Sequence, residues 1–137
     1  MNPLGVAVGQ KTRRSKTVTA RDVELYAEIT GDRNPLHFDP AFAAGTRFGR
    51  LVAQGGITSG MLNALVAMDL PGPGTVFMSQ TLKYLAPTYL GDTLTAEVEV
   101  LSVKPDKPVC QLKATVTNQD GTVVLEGECW TYTMRPA

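Results

Sequence analysis

Pro71-Gly72-Pro73-Gly74 divides this chain into two parts of different period, and no other stretch limits the possible fold so strongly. Before it, Ile57, Met61, Ala64, Leu65 and Met68 form an apolar stripe at helical spacing. This predicts a long helix that Gly55-Gly56 opens and the Pro-Gly pairs close. After it the period is two. Val76, Met78, Gln80, Leu82 and Tyr84 alternate with their neighbours, as do Leu94, Ala96, Val98 and Val100, and then Cys110, Leu112, Ala114 and Val116. A last run from Val123 to Met134 is interrupted only by Gly127. Turn signals at Ala86-Pro87, Gly91-Asp92, Lys104-Pro105-Asp106 and Asn118-Gln119-Asp120-Gly121 separate the runs. A striped helix and a one-sided sheet each need a partner to bury their apolar faces. The expectation is an α+β domain of four or five long antiparallel strands, with the long helix lying on one face.

Upstream, Lys16 to Thr19 is a short strand candidate, and Thr19 is placed to cap a helix carrying Val23, Tyr26, Ala27 and Thr30 on one face. Gly31 stops that helix. Asp39-Pro40 opens a second short helix, to about Ala44, with Gly45 closing it.

Residues 1–137 are expected to form a single domain, since no repeat, low-complexity linker or shift of composition breaks them and 43% apolar residues can fill one core. Lys+Arg and Asp+Glu number 13 each, so the basic excess of a nucleic-acid binder is missing. The one local basic cluster, Lys11, Arg13, Arg14 and Lys16, is expected to be a solvated face. No stretch approaches the roughly 18 to 20 apolar residues of a membrane span. The start, MNPLGVAVGQ, lacks a charged segment followed by a long apolar run, so a cytoplasmic location is expected. Cys110 and Cys129 stand alone beside a single histidine; no metal site is expected, and both thiols are taken as reduced strand residues.

That single histidine lies in Gly31-Asp32-Arg33-Asn34-Pro35-Leu36-His37-Phe38-Asp39-Pro40. Asn34-Pro35 is a turn signal, and the proline ring stiffens the connection between Asp32 and His37. An imidazole titrating near neutrality beside a carboxylate suits general acid/base work. Spacing alone leaves a second reading open, in which Asp32 serves the turn and His37 is a polar residue at the mouth of the next helix. Gly55-Gly56 adds a further feature: unpaired N–H groups at the start of the longest helix suit developing negative charge, and glycine allows close approach. The alternative there is a tight turn into a core helix.

Three segments, YAEITGDRNPLHFD, PAFAAGTRFGRLVAQGG and SQTLKYLAPTYLGDTLTAEVEV, closely resemble the (R)-specific enoyl-CoA hydratases of the MaoC-like, hot-dog-fold group. The D-x-N-P-x-H element is rather specific to that group, whereas GDTLTAEVEV is common to hot-dog proteins more widely. The resemblance implies a hot-dog fold, a long central helix wrapped by an antiparallel sheet, working as a homodimer. It implies reversible hydration of trans-2-enoyl-CoA to the (R)-3-hydroxyacyl-CoA, as in polyester precursor supply or fatty-acid breakdown, with CoA as the substrate's handle and no cofactor. The catalytic dyad falls on Asp32 and His37, with Asn34 bracing the loop, and the oxyanion-binding backbone N–H falls on Gly55. Related hydratases often carry a histidine just before that glycine. Here Gln54 stands there, able to form hydrogen bonds but not to titrate.

An acyl pocket is expected around Leu36, Phe38, Phe48 and Met61, with Phe42 and Leu65 as further candidates. Arg47, Arg50, Lys83, Lys104 and Lys107 are candidates to meet CoA phosphates. Three other readings stay open: an acyl-CoA thioesterase, a 3-hydroxyacyl dehydratase acting on acyl carrier protein, and a non-catalytic acyl-binding module in which the dyad is structural.

Overall fold

Thr19 accepts a hydrogen bond from the Asp22 N–H (3.2 Å) while the Asp22 carboxylate accepts one from the Thr19 N–H (2.9 Å). This reciprocal cap starts α1 (Ala20–Thr30), which Gly31 ends at a φ of 82° that favours glycine. The structure, a computed structural model, describes residues 2–136. Asp39 and Pro40 open α3 (Pro40–Ala44) as expected, the Asp39 side chain accepting from the Phe42 N–H. Between them lies a turn of helix that the sequence reading treats as loop, α2 (Pro35–Phe38). The Asn34 side chain accepts from the Leu36 N–H at 3.0 Å, and Pro35 occupies the first helical position. An Asn-Pro pair that reads as a turn thus also satisfies the rules for a helix start.

The long helix α4 (Gly55–Met68) precedes β2 (Thr75–Tyr84), β3 (Thr93–Val103), β4 (Val109–Thr117) and β5 (Val123–Thr133). They join β1 (Lys11–Thr17) in one sheet of order β1-β3-β4-β5-β2, antiparallel throughout. The fold is therefore α+β, a central helix held in an antiparallel sheet, the hot-dog arrangement. β1 is longer than its candidate strand. Its basic residues are ion-paired: Lys11 to Glu99, Arg13 to Glu97, Arg14 to Asp69 and Lys16 to Asp22. Arg14 grips both Asp69 oxygens (2.6 and 3.1 Å) and so ties β1 to the end of α4.

The core joins Leu62, Leu65 and Val66 of α4 to Leu94, Ala96, Val98 and Val100 of β3 and to Leu112, Ala114, Val116 and Leu125 of β4 and β5. Burying each of these Leu and Val side chains fully contributes about 1.5–3 kcal/mol. Two expectations change. The helix face that enters the core is Thr58, Leu62, Leu65 and Val66, whereas Met68 is 60% exposed. Only Leu65 of the expected stripe is fully buried, because α4 is apolar nearly all round and periodicity alone leaves its orientation open. Along β2 the alternation of residue types does not become an alternation of burial: it is an edge strand with Val76, Met78 and Tyr84 all more than half exposed. Gly127 is required by a close approach, since a side chain there would run into the Thr81 carbonyl of β2. No helix among the described residues is long and apolar enough to cross a membrane.

Candidate active site

The α2 turn carries His37 inward, where the ring is buried and its Nδ1 lies 2.7 Å from the Val52 carbonyl oxygen. The Leu36 carbonyl accepts from the Val52 N–H (3.1 Å), so two hydrogen bonds clip α2 to the segment ahead of α4. That segment is held from its other side by an isolated bridge between Val52 and Tyr89 and by the Ala53 N–H on the Thr88 carbonyl (2.7 Å). A carbonyl only accepts, so Nδ1 carries a proton and Nε2 of the neutral ring presents a lone pair. Nε2 faces Asp32 Oδ2 at 3.6 Å, longer than a direct hydrogen bond.

Asp32 is fixed by its own loop. Its N–H donates to the Thr30 hydroxyl (3.1 Å), and its Oδ1 accepts from the Asn34 N–H (3.2 Å). The carboxylate is 41% exposed while the imidazole is 9% exposed, so the pair spans a boundary between solvent and interior. The adjacent Arg33 turns away: it pairs with Glu24 (2.9 Å) and lies over the Phe38 ring, 5.5 Å from its centroid. Its hydrogen bond keeps the Glu24 carboxyl below the ordinary range.

Gln54 occupies the cap position of α4, yet its side chain makes no cap hydrogen bond. It turns into the core, 1% exposed, and its Nε2 donates to the Val23 carbonyl (3.0 Å) and, at 3.5 Å, to the Asp32 carbonyl. Its Oε1 is buried without a partner among the described residues. The Gly55 and Gly56 N–H groups likewise meet no acceptor among the described residues, at the positive end of the helix dipole. Tyr84 lies against Gly55, and the Tyr26 hydroxyl rests on Gly56.

A cavity of about 270 Å³ opens beside Gly55, walled by Phe48, Val52, Ala53, Thr58, Tyr84 and Val124 among others. Asp32 and His37 do not line it; Val52 is the shared wall, on the cavity and holding His37 through its carbonyl. Of the expected acyl-pocket residues, Phe48 alone lies there. Met61 lines a separate groove with Tyr26 and Ile29, because it sits one helical turn past Ile57 on the flank of α4 that faces α1. Leu36 and Phe38 line neither; Phe38 packs against the core. Phe42 is half exposed and Leu65 is core. Arg47 reaches the cavity wall, whereas Arg50 lies over Tyr89 (4.0 Å) and Lys104 over Trp130 (5.5 Å). Sequence reasoning misses the Val52 carbonyl, since any residue supplies one, and the neighbouring hydroxyls of Thr58 and Thr88, which approach to 3.4 Å in the cavity wall.

The chain matches the family described as "MaoC like domain" over residues 5–124. It is 39% identical over 128 residues to an (R)-specific enoyl-CoA hydratase of Aeromonas caviae, covering 93% of this chain and 96% of that protein. A 3-hydroxybutyryl-CoA dehydratase of Methylorubrum extorquens is 43% identical over 121 residues, or 88% of this chain and 76% of that one. Among solved structures, the (R)-hydratase from A. caviae involved in PHA biosynthesis superposes with a TM-score of 0.91 at 38% identity, over 95% of this chain and 98% of that one.

Proposed function

The chain belongs to the MaoC-like domain family, and from that premise we propose that it is an (R)-specific enoyl-CoA hydratase, adding water reversibly to trans-2-enoyl-CoA. The observation that carries this reading is the pairing of Asp32 with His37 across 3.6 Å, with Nδ1 committed to the Val52 carbonyl. Two acceptors, a carboxylate oxygen and the Nε2 lone pair, face one another and leave both without a proton between them. A water molecule donating one hydrogen to each satisfies both and presents its own lone pair to the substrate.

The thioester carbonyl would accept the Gly55 N–H, which draws electron density from the β-carbon. The water oxygen bonds to that carbon as the Asp32–His37 pair takes one of its protons. The charge passes onto the thioester oxygen as an enolate, and the pair returns a proton to the α-carbon. One water is added and no proton is left over. One such amide donor is typically worth about 10²–10³ in rate, and a positioned acid/base group about 10²–10⁴. Asn34 serves the pair by capping α2, and the cavity beside Gly55, with Phe48 on its wall, would take the apolar part of the acyl chain.

We also take the active form to be a homodimer of single-domain chains. Its support is the contrast between the two sheet edges: β1 is charged and ion-paired, whereas β2 is open, carries one charge and exposes Val76, Met78 and Tyr84.

Incubation with crotonyl-CoA, followed by chiral analysis of the product, tests the activity. Loss of the enoyl absorbance without free thiol, giving the (R)-alcohol, is the expected result. Release of thiol identifies a thioesterase instead, turnover restricted to the acyl-carrier-protein substrate identifies a dehydratase of that class, and unchanged substrate identifies a binding module.

A further inference from the structure

A residue at a helix cap ordinarily turns its side chain back onto the first free amides of the helix, which is why Ser, Thr, Asp and Asn favour that place. Gln54 does not. Its carboxamide points inward between two carbonyls from different places: it bonds that of Val23, in the first half of α1, at 3.0 Å and makes a longer contact of 3.5 Å with that of Asp32, just beyond the Gly31 stop. One buried NH₂ group therefore links the body of α1, the loop bearing the proposed acid/base carboxylate and the start of α4. Its orientation is fixed chemically, because the flipped amide would press its oxygen against two carbonyl oxygens. This inward turn also leaves the Gly55 and Gly56 N–H groups free of any side-chain cap.

Resting on the hydratase reading, we propose that Gln54 is a positioning residue for the proposed reaction: it sets the place of the Asp32 carboxylate relative to His37 by holding the Asp32 main-chain carbonyl, and keeps the α4 amides open to the thioester. The Asp32 carbonyl and carboxylate hang from the same Cα, so releasing the first shifts the second. The Asp32 turn has other hydrogen bonds, to Thr30 and Asn34, but both partners belong to the same loop. The Gln54 contact refers the Asp32 residue itself to α4, whereas the two bonds to Val52 hold Leu36 and His37 further along the loop. Geometry of this kind matters steeply, a displacement of about 1 Å being enough to cost on the order of a hundredfold. The buried Oε1, without a partner among the described residues, fits a residue kept for its donor group, since an apolar side chain of the same volume would avoid that orphan.

The chain's only histidine gives a second readout, independent of turnover. Gln54→Met keeps the volume and removes the donor; Gln54→Glu keeps the shape and replaces the amide. Each is compared with the unaltered protein for folding by circular dichroism, for crotonyl-CoA hydration, and for the His37 ring signals by NMR, with Asp32→Asn as the reference for a disturbed pair. The expected result is a folded variant whose kcat is ten- to a hundredfold lower with KM within about twofold, and His37 ring signals moved in the direction that Asp32→Asn moves them. A folded variant that keeps kcat within twofold overturns the proposal, and so does a fall in kcat with unmoved ring signals. Failure of both variants to fold also overturns it, making Gln54 a residue of stability. Should the unaltered protein not hydrate crotonyl-CoA, the hydratase reading falls by itself, while the ring signals still report whether Gln54 sets the Asp32–His37 geometry.

Discussion

Asp32 and His37 serve different ends of the same task, and the proposed mechanism makes their removal unequal in kind. Asp32→Asn keeps the size and the turn bond to Asn34 but loses the charge; His37→Ala loses both the lone pair and the bond to the Val52 carbonyl. Each variant is expected to lower kcat for crotonyl-CoA by about a hundredfold or more. Their double variant should fall little further, because the two act on one water. Multiplying losses in the double variant would show that they act separately. The two glycines behind them allow a cleaner stability test. A methyl at Gly56 meets the Tyr26 hydroxyl from within the helix packing, so Gly56→Ala should cost about 1–3 kcal/mol in urea unfolding. A methyl at Gly55 meets only the exposed Tyr84 ring at 2.9 Å, which can swing aside, so Gly55→Ala should cost clearly less. The Asp32–His37 candidate pair was legible because its turn chemistry is local. The Val52 carbonyl and the inward turn of Gln54 were not, because neither belongs to a residue type with a fixed habit and both depend on chain brought in from elsewhere.

At the scale of elements, capping and stopping residues spoke plainly: Thr19, Gly31, Asp39 and Gly45 bound α1 and α3 where the sequence placed them. β3 and β4 also followed their alternation, since the core covers one face of each while the other stays partly exposed. α4 and β2 did not, for opposite reasons. α4 offers apolar residues on every side, and packing chooses among them. β2 lies at an edge where only Thr75, Phe77 and Leu82 turn toward the core and most other side chains stay exposed. The central strands carry a prediction of their own. Burial pushes the Cys110 thiol up to about 11 and that of Cys129 up to about 12, against about 8.5 in an unfolded chain. The native state therefore holds its thiol protons where the unfolded state has released them, so this contribution to stability is complete below about pH 8.5 and falls as pH rises toward 11–12. A disulfide reagent at pH 8 should label neither cysteine until urea unfolds the protein, when both should react. Rapid labelling of the folded protein would mean that β4 and β5 open locally.

For the whole molecule the decisive asymmetry is between the two edges of the sheet. β1 presents Lys11, Arg13, Arg14 and Lys16, each held by a carboxylate, a composition that discourages a further strand. β2 presents Thr75–Tyr84 with a single cation, Lys83, and with a bulge between Phe77 and Ser79 that leaves Met78 59% exposed. Val76 and Tyr132 are directly paired across β2 and β5, so they share a face, opposite to the buried Thr75–Thr133 hydroxyl pair; both are exposed, and Met134 continues the apolar patch. The proposed homodimer would cover this surface with its own copy. Placing a charge there puts two like charges near the symmetry axis, an unfavourable arrangement that costs nothing in the lone chain, where Val76 is already 52% exposed. Val76→Lys is therefore expected to keep the circular dichroism of the parent while shifting the mass measured by light scattering from twice 14.7 kDa toward 14.7 kDa at micromolar concentration. A parent protein that runs at 14.7 kDa over the same range would remove the homodimer from the proposal while leaving the Asp32–His37 chemistry to stand on the hydration assay.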